Sequence, residues 1–81
     1  MRTELLKRIV VDPNICFGKP TIRGTRIWVA LIVEFLADGW SHEKILAEYP
    51  GLQEDDIRAA LAYAAEIARE RVLPIEVEVR T

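Results

Sequence analysis

The chain of 81 residues contains one cysteine, one histidine and one methionine. A single cysteine, Cys16, cannot close an intrachain disulfide. That excludes the stapled architecture of small secreted domains and points to a reducing compartment. One cysteine and one histidine also leave a tetrahedral zinc site short of donors. Side-chain amides are scarce, Asn14 and Gln53 being the only two. No apolar run approaches the roughly 20 residues of a membrane span. The longest apolar stretch near the start, Ile9 to Val11, falls far short of the core of a signal peptide. Neither sign of charge dominates: 11 basic against 13 acidic side chains give a net charge of -2. That balance argues against strong, diffuse attraction to nucleic acid. The expectation is a soluble cytoplasmic domain with no membrane attachment.

What is present is unevenly placed. Residues 1–33 carry a net +4 and residues 34–81 a net -6. A basic front and an acidic back can serve two partner surfaces, or the halves can neutralise each other within a fold or a dimer. Hydrophobic residues make up 51%, ordinary for a globular protein. A domain of this length buries only roughly 60–65% of its unfolded surface, so a second copy would help to stabilise it.

The pattern predicts a mainly α single domain, 1–81: a β-hairpin arm over 1–27, three helices over 28–73 and a strand over 74–81. Ile9-Val10-Val11 is β-branched and stops at the turn-forming Asp12-Pro13-Asn14. Ile22 and Ile27 flank Gly24-Thr25, where glycine suits the first central position of a type II′ turn. Arg23 and Arg26 then oppose each other across it. Two like charges so placed favour an anion or a carboxylate between them.

Val29 to Leu36 is apolar nearly all round except Glu34 and reads as a buried helix closed by Gly39. Ser41 caps a second helix, with Trp40 and Ile45 at staple spacing. Pro50-Gly51 ends it. A third helix is expected from Glu54 to about Val72, with Leu52 and Ile57 as its staple. Its cap, Gln53, is poor, and Glu54, Asp55 and Asp56 offset this by facing the positive end of the helix dipole. The stripe Ile57, Ala60, Leu61, Ala64, Ile67 and Ala68 predicts that Ile57, Leu61 and Ile67 pack on Val29, Ile32, Val33 and Leu36. Pro74 stops the helix. Ile75 to Val79 alternates and reads as a strand pairing with an N-terminal strand of the same or another subunit.

Catalytic chemistry has little to stand on. Ser41 and His42 are adjacent with Asp38 nearby, but neighbours at a helix start point apart, and a nucleophile needs its base within hydrogen-bond reach. Ser41 reads as a cap, Cys16 as a small apolar residue, and the acidic cluster as a dipole partner in place of a metal site. The expectation is a non-enzyme with no metal and no cofactor. The second and third helices have helix-turn-helix proportions, yet three carboxylates open the third and would repel a polyanion. Binding to DNA or to a protein partner is therefore expected on the basic front. Lys19, Arg23 and Arg26 are the main candidates, with Lys44 and Arg58 secondary. Alanine at 59, 60, 62, 64, 65 and 68 favours the helix and permits close helix approach, which favours a homodimer.

The run from Ile9 through Asp12-Pro-Asn-Ile-Cys-Phe-Gly-Lys-Pro-Thr-Ile-Arg-Gly-Thr-Arg-Ile-Trp-Val29 precedes Gly39-Trp-Ser-His-Glu-Lys-Ile-Leu46. Tyr49-Pro-Gly-Leu52 and Glu54-Asp-Asp-Ile-Arg-Ala-Ala-Leu-Ala-Tyr-Ala64 follow. Over about residues 8–68 this resembles domain-of-unknown-function family 433, bacterial and archaeal proteins regarded as VapB-like antitoxins. The resemblance implies a homeodomain-like helical domain with an N-terminal β extension, often encoded beside a PIN-like ribonuclease, the toxin it would neutralise. It carries over at Gly18, Lys19, Pro20, Gly24, Thr25, Arg26, Gly39, Ser41, Tyr49, Pro50, Asp56, Ile57 and Tyr63. Cys16-Phe17 departs from the family where a second glycine is common, Trp28 where proline is common, and Gln53 where Thr or Ser caps. The expected function is thus an antitoxin of a type II toxin–antitoxin pair that binds a PIN-like ribonuclease and its own promoter DNA. The alternatives are a DNA-binding regulator with no toxin, or a dimeric structural or interaction protein.

Overall fold

Nine residues with Glu34 as their one charge form helix α2, Val29–Ala37, which buries Val29 and Ile32. Its first N–H donates to the Pro20 carbonyl at 3.0 Å, so the preceding loop satisfies the helix start. Its end is closed by Gly39, at φ +90°, a conformation only glycine adopts freely. Gly39 N–H donates to Leu36 O at 3.1 Å and Trp40 N–H to Phe35 O at 2.9 Å, the paired bonds of a Schellman end. That closure stacks the rings of Phe35 and Trp40 at 4.1 Å and 12°. Tyr49 then tilts onto Phe35 at 5.7 Å.

Ser41 caps α3, His42–Glu48, by accepting from Lys44 N–H at 3.0 Å. Tyr49 to Leu52 is a turn, with Leu52 N–H on Tyr49 O at 2.9 Å. Helix α4, Glu54–Glu70, starts where expected. Here Asp56 supplies what the Gln53 side chain does not. Its carboxylate accepts from Gln53 N–H at 2.8 Å while its own N–H donates to Gln53 O at 2.9 Å. This is the backward half of a capping box. The core joins Ile22, Val29, Ile32, Ile45, Leu52, Ile57 and Ala60, with Val33 and Leu36 partly buried against it. Both staple pairs thus have their residues in or against one core.

A computed structural model describes residues 2–70, and four points of the sequence reading are corrected or fall outside it. The arm predicted over 1–27 is not all extended: Arg2–Leu6 is a helix, α1, lying against α4. Glu4, Leu5 and Leu6 favour a helix, and Lys7 Nζ reaches Glu4 at 3.0 Å. Strands β1, Ile9–Val10, and β2, Thr21–Ile22, then pair antiparallel, Ile9 opposite Ile22 and Val10 opposite Thr21.

The hairpin turn is also different. Thr25 N–H donates to Ile22 O at 3.0 Å, so the central residues are Arg23 and Gly24. Gly24, at φ +81°, occupies the second central position, as a type II turn requires, rather than the first of a type II′ turn. Ile22 N–H reaches Ile27 O at 3.0 Å, so Arg23 and Arg26 are the two ends of a four-residue loop, not a cross-strand pair.

Leu61, expected in the core, is 42% exposed. Ile57 and Ala60 join the core residues of α2 and α3, and steps of 100° per residue place the buried Asp56, Ala59 and Ala62 on the adjoining arc of α4, away from Leu61. Leu61 falls just outside this buried arc, beyond Ile57. The strand expected over 75–79 and the helix end near Val72 lie outside the described residues. What stands among the described residues is a mainly helical fold of four α-helices, one 3-10 turn at Cys16–Gly18 and a two-stranded antiparallel sheet. Among the described residues no helix is long and apolar enough to cross a membrane.

Candidate partner-binding edge

Between Pro13 and Val33 the chain carries Lys19, Arg23 and Arg26 and no carboxylate. Two neighbouring segments display Lys19 and Arg26, and the loop between them carries Arg23. Residues 16–21 run beside 26–29, tied by the Cys16 thiol donating to Arg26 O at 3.5 Å, a bridge between Thr21 and Trp28, and the Val29 N–H bond to Pro20 O. Thr25 stiffens the loop between them, donating to Ile22 O at 2.8 Å and accepting from Ile27 N–H at 3.0 Å.

The five candidate cations are not equivalent. Arg26 is exposed, and its guanidinium has no ion pair among the described residues. Lys19 is exposed, with its ammonium 4.5 Å from the centroid of the Trp28 ring. Arg23 is exposed but partly committed: its Nε donates to Lys7 O at 3.0 Å and its backbone N–H to Arg8 O at 2.7 Å. Lys44 belongs to α3 and sits over Trp40 at 4.2 Å. Arg58, on α4, pairs with Asp55 at 3.6 Å. Lys19, Arg23 and Arg26 thus share the hairpin rim, whereas Lys44 and Arg58 sit on separate helices; Arg58 is ion-paired, and Lys44, like Lys19, lies over a tryptophan ring.

The acidic start of α4 is already partnered. Arg8 reaches Asp56 at 3.1 Å, Asp55 at 3.6 Å and Gln53 Oε1 at 3.4 Å. His42 Nδ1 lies 2.6 Å from Glu54 Oε1, linking the starts of α3 and α4. Arg8 escaped the sequence reading. Its signal was the need of three adjacent carboxylates for a cation besides the helix dipole. Ser41 Oγ accepts from Lys44 N–H, as the cap expected of it, and the neighbouring His42 turns to Glu54.

Most of the family-motif residues that the sequence singled out shape the rim and the core. Gly18 has φ +79° and Gly24 +81°. Pro20 holds the start of α2, Tyr49 and Pro50 end α3, and Asp56 and Ile57 are buried at the head of α4. A groove of about 1040 Å³ lies between α2 and the C-terminal half of α4, lined among others by Trp28, Leu31, Val33, Tyr63 and Ile67, with Lys19 and Glu34 at it.

Residues 9–64 match the model of the family described as "Protein of unknown function (DUF433)". The chain belongs to this family. A DUF433 member protein from Anabaena variabilis, whose crystal structure was determined at 2.00 Å, shares 34% identity and a TM-score of 0.73. The similarity covers 84% of this chain and 67% of that one. The "Uncharacterized protein y4eO" of Sinorhizobium fredii is 38% identical over 56 residues, 69% of this chain. The match spans only 25% of that relative's length. In DUF433 terms the matched stretch holds the hairpin rim, α2, α3 and the first two-thirds of α4.

Proposed function

We propose that this chain is an antitoxin-type binding protein that neutralises a PIN-like ribonuclease by presenting Arg26 to the carboxylates of its active site. The carrying observation is Arg26 itself: exposed, without an ion pair among the described residues, and mounted on a loop held by hydrogen bonds at both ends. A nuclease that cuts through carboxylates and a divalent metal can be blocked by a guanidinium, which matches a carboxylate with two parallel hydrogen bonds. Lys19 and Arg23 flank it and supply steering charge. On this reading α2, α3 and α4 form a homeodomain-like bundle whose helix-turn-helix pair, α3 and α4, serves as scaffold. The start of α4 is acidic and tied to Arg8 and His42, so promoter DNA, if it is a ligand, meets the same basic rim.

A second copy completes the reading, since so small a domain gains from self-association and α4 exposes Leu61. The function is tested by expressing the product of the neighbouring reading frame in the native DNA with and without this chain. Relief of its ribonuclease toxicity by the wild type, and loss of that relief in Arg26→Ala, is the expected result. A neighbour that is no nuclease, or relief unaffected by Arg26→Ala, overturns it.

A further inference from the structure

The tightest strain in the described chain lies at residues 16–18. Gly18 N–H donates to Ile15 O at 3.1 Å, closing a turn whose central residues are Cys16, at φ +51°, and Phe17, at φ +58°. Two positive φ values in that turn suit Asn-Gly, and for a bulky residue such as Phe the left-handed region is an outlier. The strain is not repaid by packing, because Phe17 is 95% exposed. The turn is nevertheless held, by Lys19 N–H on Cys16 O at 3.1 Å, the Cys16 thiol on Arg26 O, and Asn14 N–H on Asp12 Oδ1 at 2.8 Å. A strained backbone that displays an aromatic ring to solvent points to a use outside the free chain.

The surroundings narrow the ligand. Phe17 is flanked by exposed Asn14 and Lys19, and across the thiol contact by Arg26. Trp28, 38% exposed, lies under Lys19. An anchor for a protein pocket works inside a collar of contacts that excludes water, which polar neighbours do not provide. One bare ring, Phe17, beside a second ring that already carries a cation, on a stretch whose nearest carboxylate, Asp12, is engaged by Asn14 N–H, instead matches what unpaired bases and their phosphates need. A base-paired duplex hides its base faces and would leave the ring unused.

We propose that the rim of Phe17, Lys19 and Arg26 binds single-stranded nucleic acid, with the Phe17 ring stacked on a base and Lys19 and Arg26 on the adjoining phosphates. This goes beyond the antitoxin reading and does not depend on it. The probes are fluorescein-labelled twelve-residue oligo-dT and oligo-U, and a duplex of the same length, titrated at low salt with fluorescence anisotropy. The wild type should bind both single strands and bind the duplex more weakly; preference between dT and U tells DNA from RNA as the source.

Phe17→Gly should weaken binding about tenfold, the loss of one base stack, while its melting temperature holds or rises because glycine relieves the strain. Phe17→Tyr should keep the affinity, and Phe17→Leu should lose it as Gly does. Arg26→Ala should lower the slope of log K against log salt by about 0.7. No binding by the wild type, duplex binding as tight as single-strand binding, or equal affinities for Phe17→Leu and Phe17→Tyr would overturn the proposal. Toxin relief that survives in Phe17→Leu and fails in Arg26→Ala would separate this site from the antitoxin contact.

Discussion

The head of α4, with Glu54, Asp55 and Asp56, and the hairpin rim, with Lys19, Arg23 and Arg26, use charge in opposite ways. At the head of α4 the three carboxylates face Arg8, His42 or Arg58, and Asp56 is buried with both a guanidinium and a backbone N–H on it. At the rim, Lys19 and Arg26 meet no carboxylate among the described residues, and Arg23 gives only part of its side chain to Lys7 O. The first region consumes its charge in holding α1, α3 and α4 together. The second is held rigid by uncharged contacts, so its cations stay available. Each region carries three like charges; pairing separates scaffold from binding surface.

Substitutions can break or sharpen that contrast. The scaffold side sets the largest expected effect. Ile57→Ala, at a fully buried position of the core, should cost about 2–5 kcal/mol in urea unfolding. A loss below about 1 kcal/mol would show that α4 is not anchored where the core places it. Next comes Asp56→Ala, which strips an acceptor from both Arg8 and Gln53 N–H and should cost about 2 kcal/mol. If Asp56→Ala proves as mild as a surface change, the acidic head is not structural and the comparison collapses.

Leu61→Ala is the discriminating middle case. With the side chain 42% exposed, a loss under about 1 kcal/mol is expected, against the several expected of a core leucine. Leu61→Glu should also lower the mass seen by light scattering if a second copy covers this face. An unchanged mass would remove Leu61 from any dimer interface. The smallest effect on stability belongs to Arg26→Ala, within about 0.5 kcal/mol of the wild type, as for other surface positions. A loss as large as that of Asp56→Ala would make Arg26 a scaffold residue and withdraw it from the binding edge.

Much of the local architecture was legible because it depends on residues five or fewer positions apart. Gly39, Ser41 and the two staples placed the ends of α2 and the starts of α3 and α4, and the structure has them there. The turn at Gly24 shows where such reasoning is ambiguous. Glycine satisfies a positive φ at either central position, and the Thr25–Ile22 hydrogen bond chooses the second. Basic candidates could be counted along the chain, but not sorted. Lys44 and Arg58 resemble Arg26 in sequence, and only the neighbours Trp40 and Asp55 distinguish them. Phe17 entered the sequence reading as a departure from family pattern, with nothing to say that its ring stands in water.

The sequence by itself determined the order of α2, α3 and α4, the Ser41 cap, the breaks between these helices and the carboxylate-free basic stretch, because each rests on backbone conformation or composition over a few residues. The tertiary structure alone decided which arc of α4 is buried, that residues 2–6 form a helix against it, and that Arg8 closes its acidic head. Those outcomes depend on which distant surfaces meet. With α1 packed on α4, the buried arc runs through Ala59 and Ala62 and leaves Leu61 out, and only the folded contacts show which charges are left for a partner.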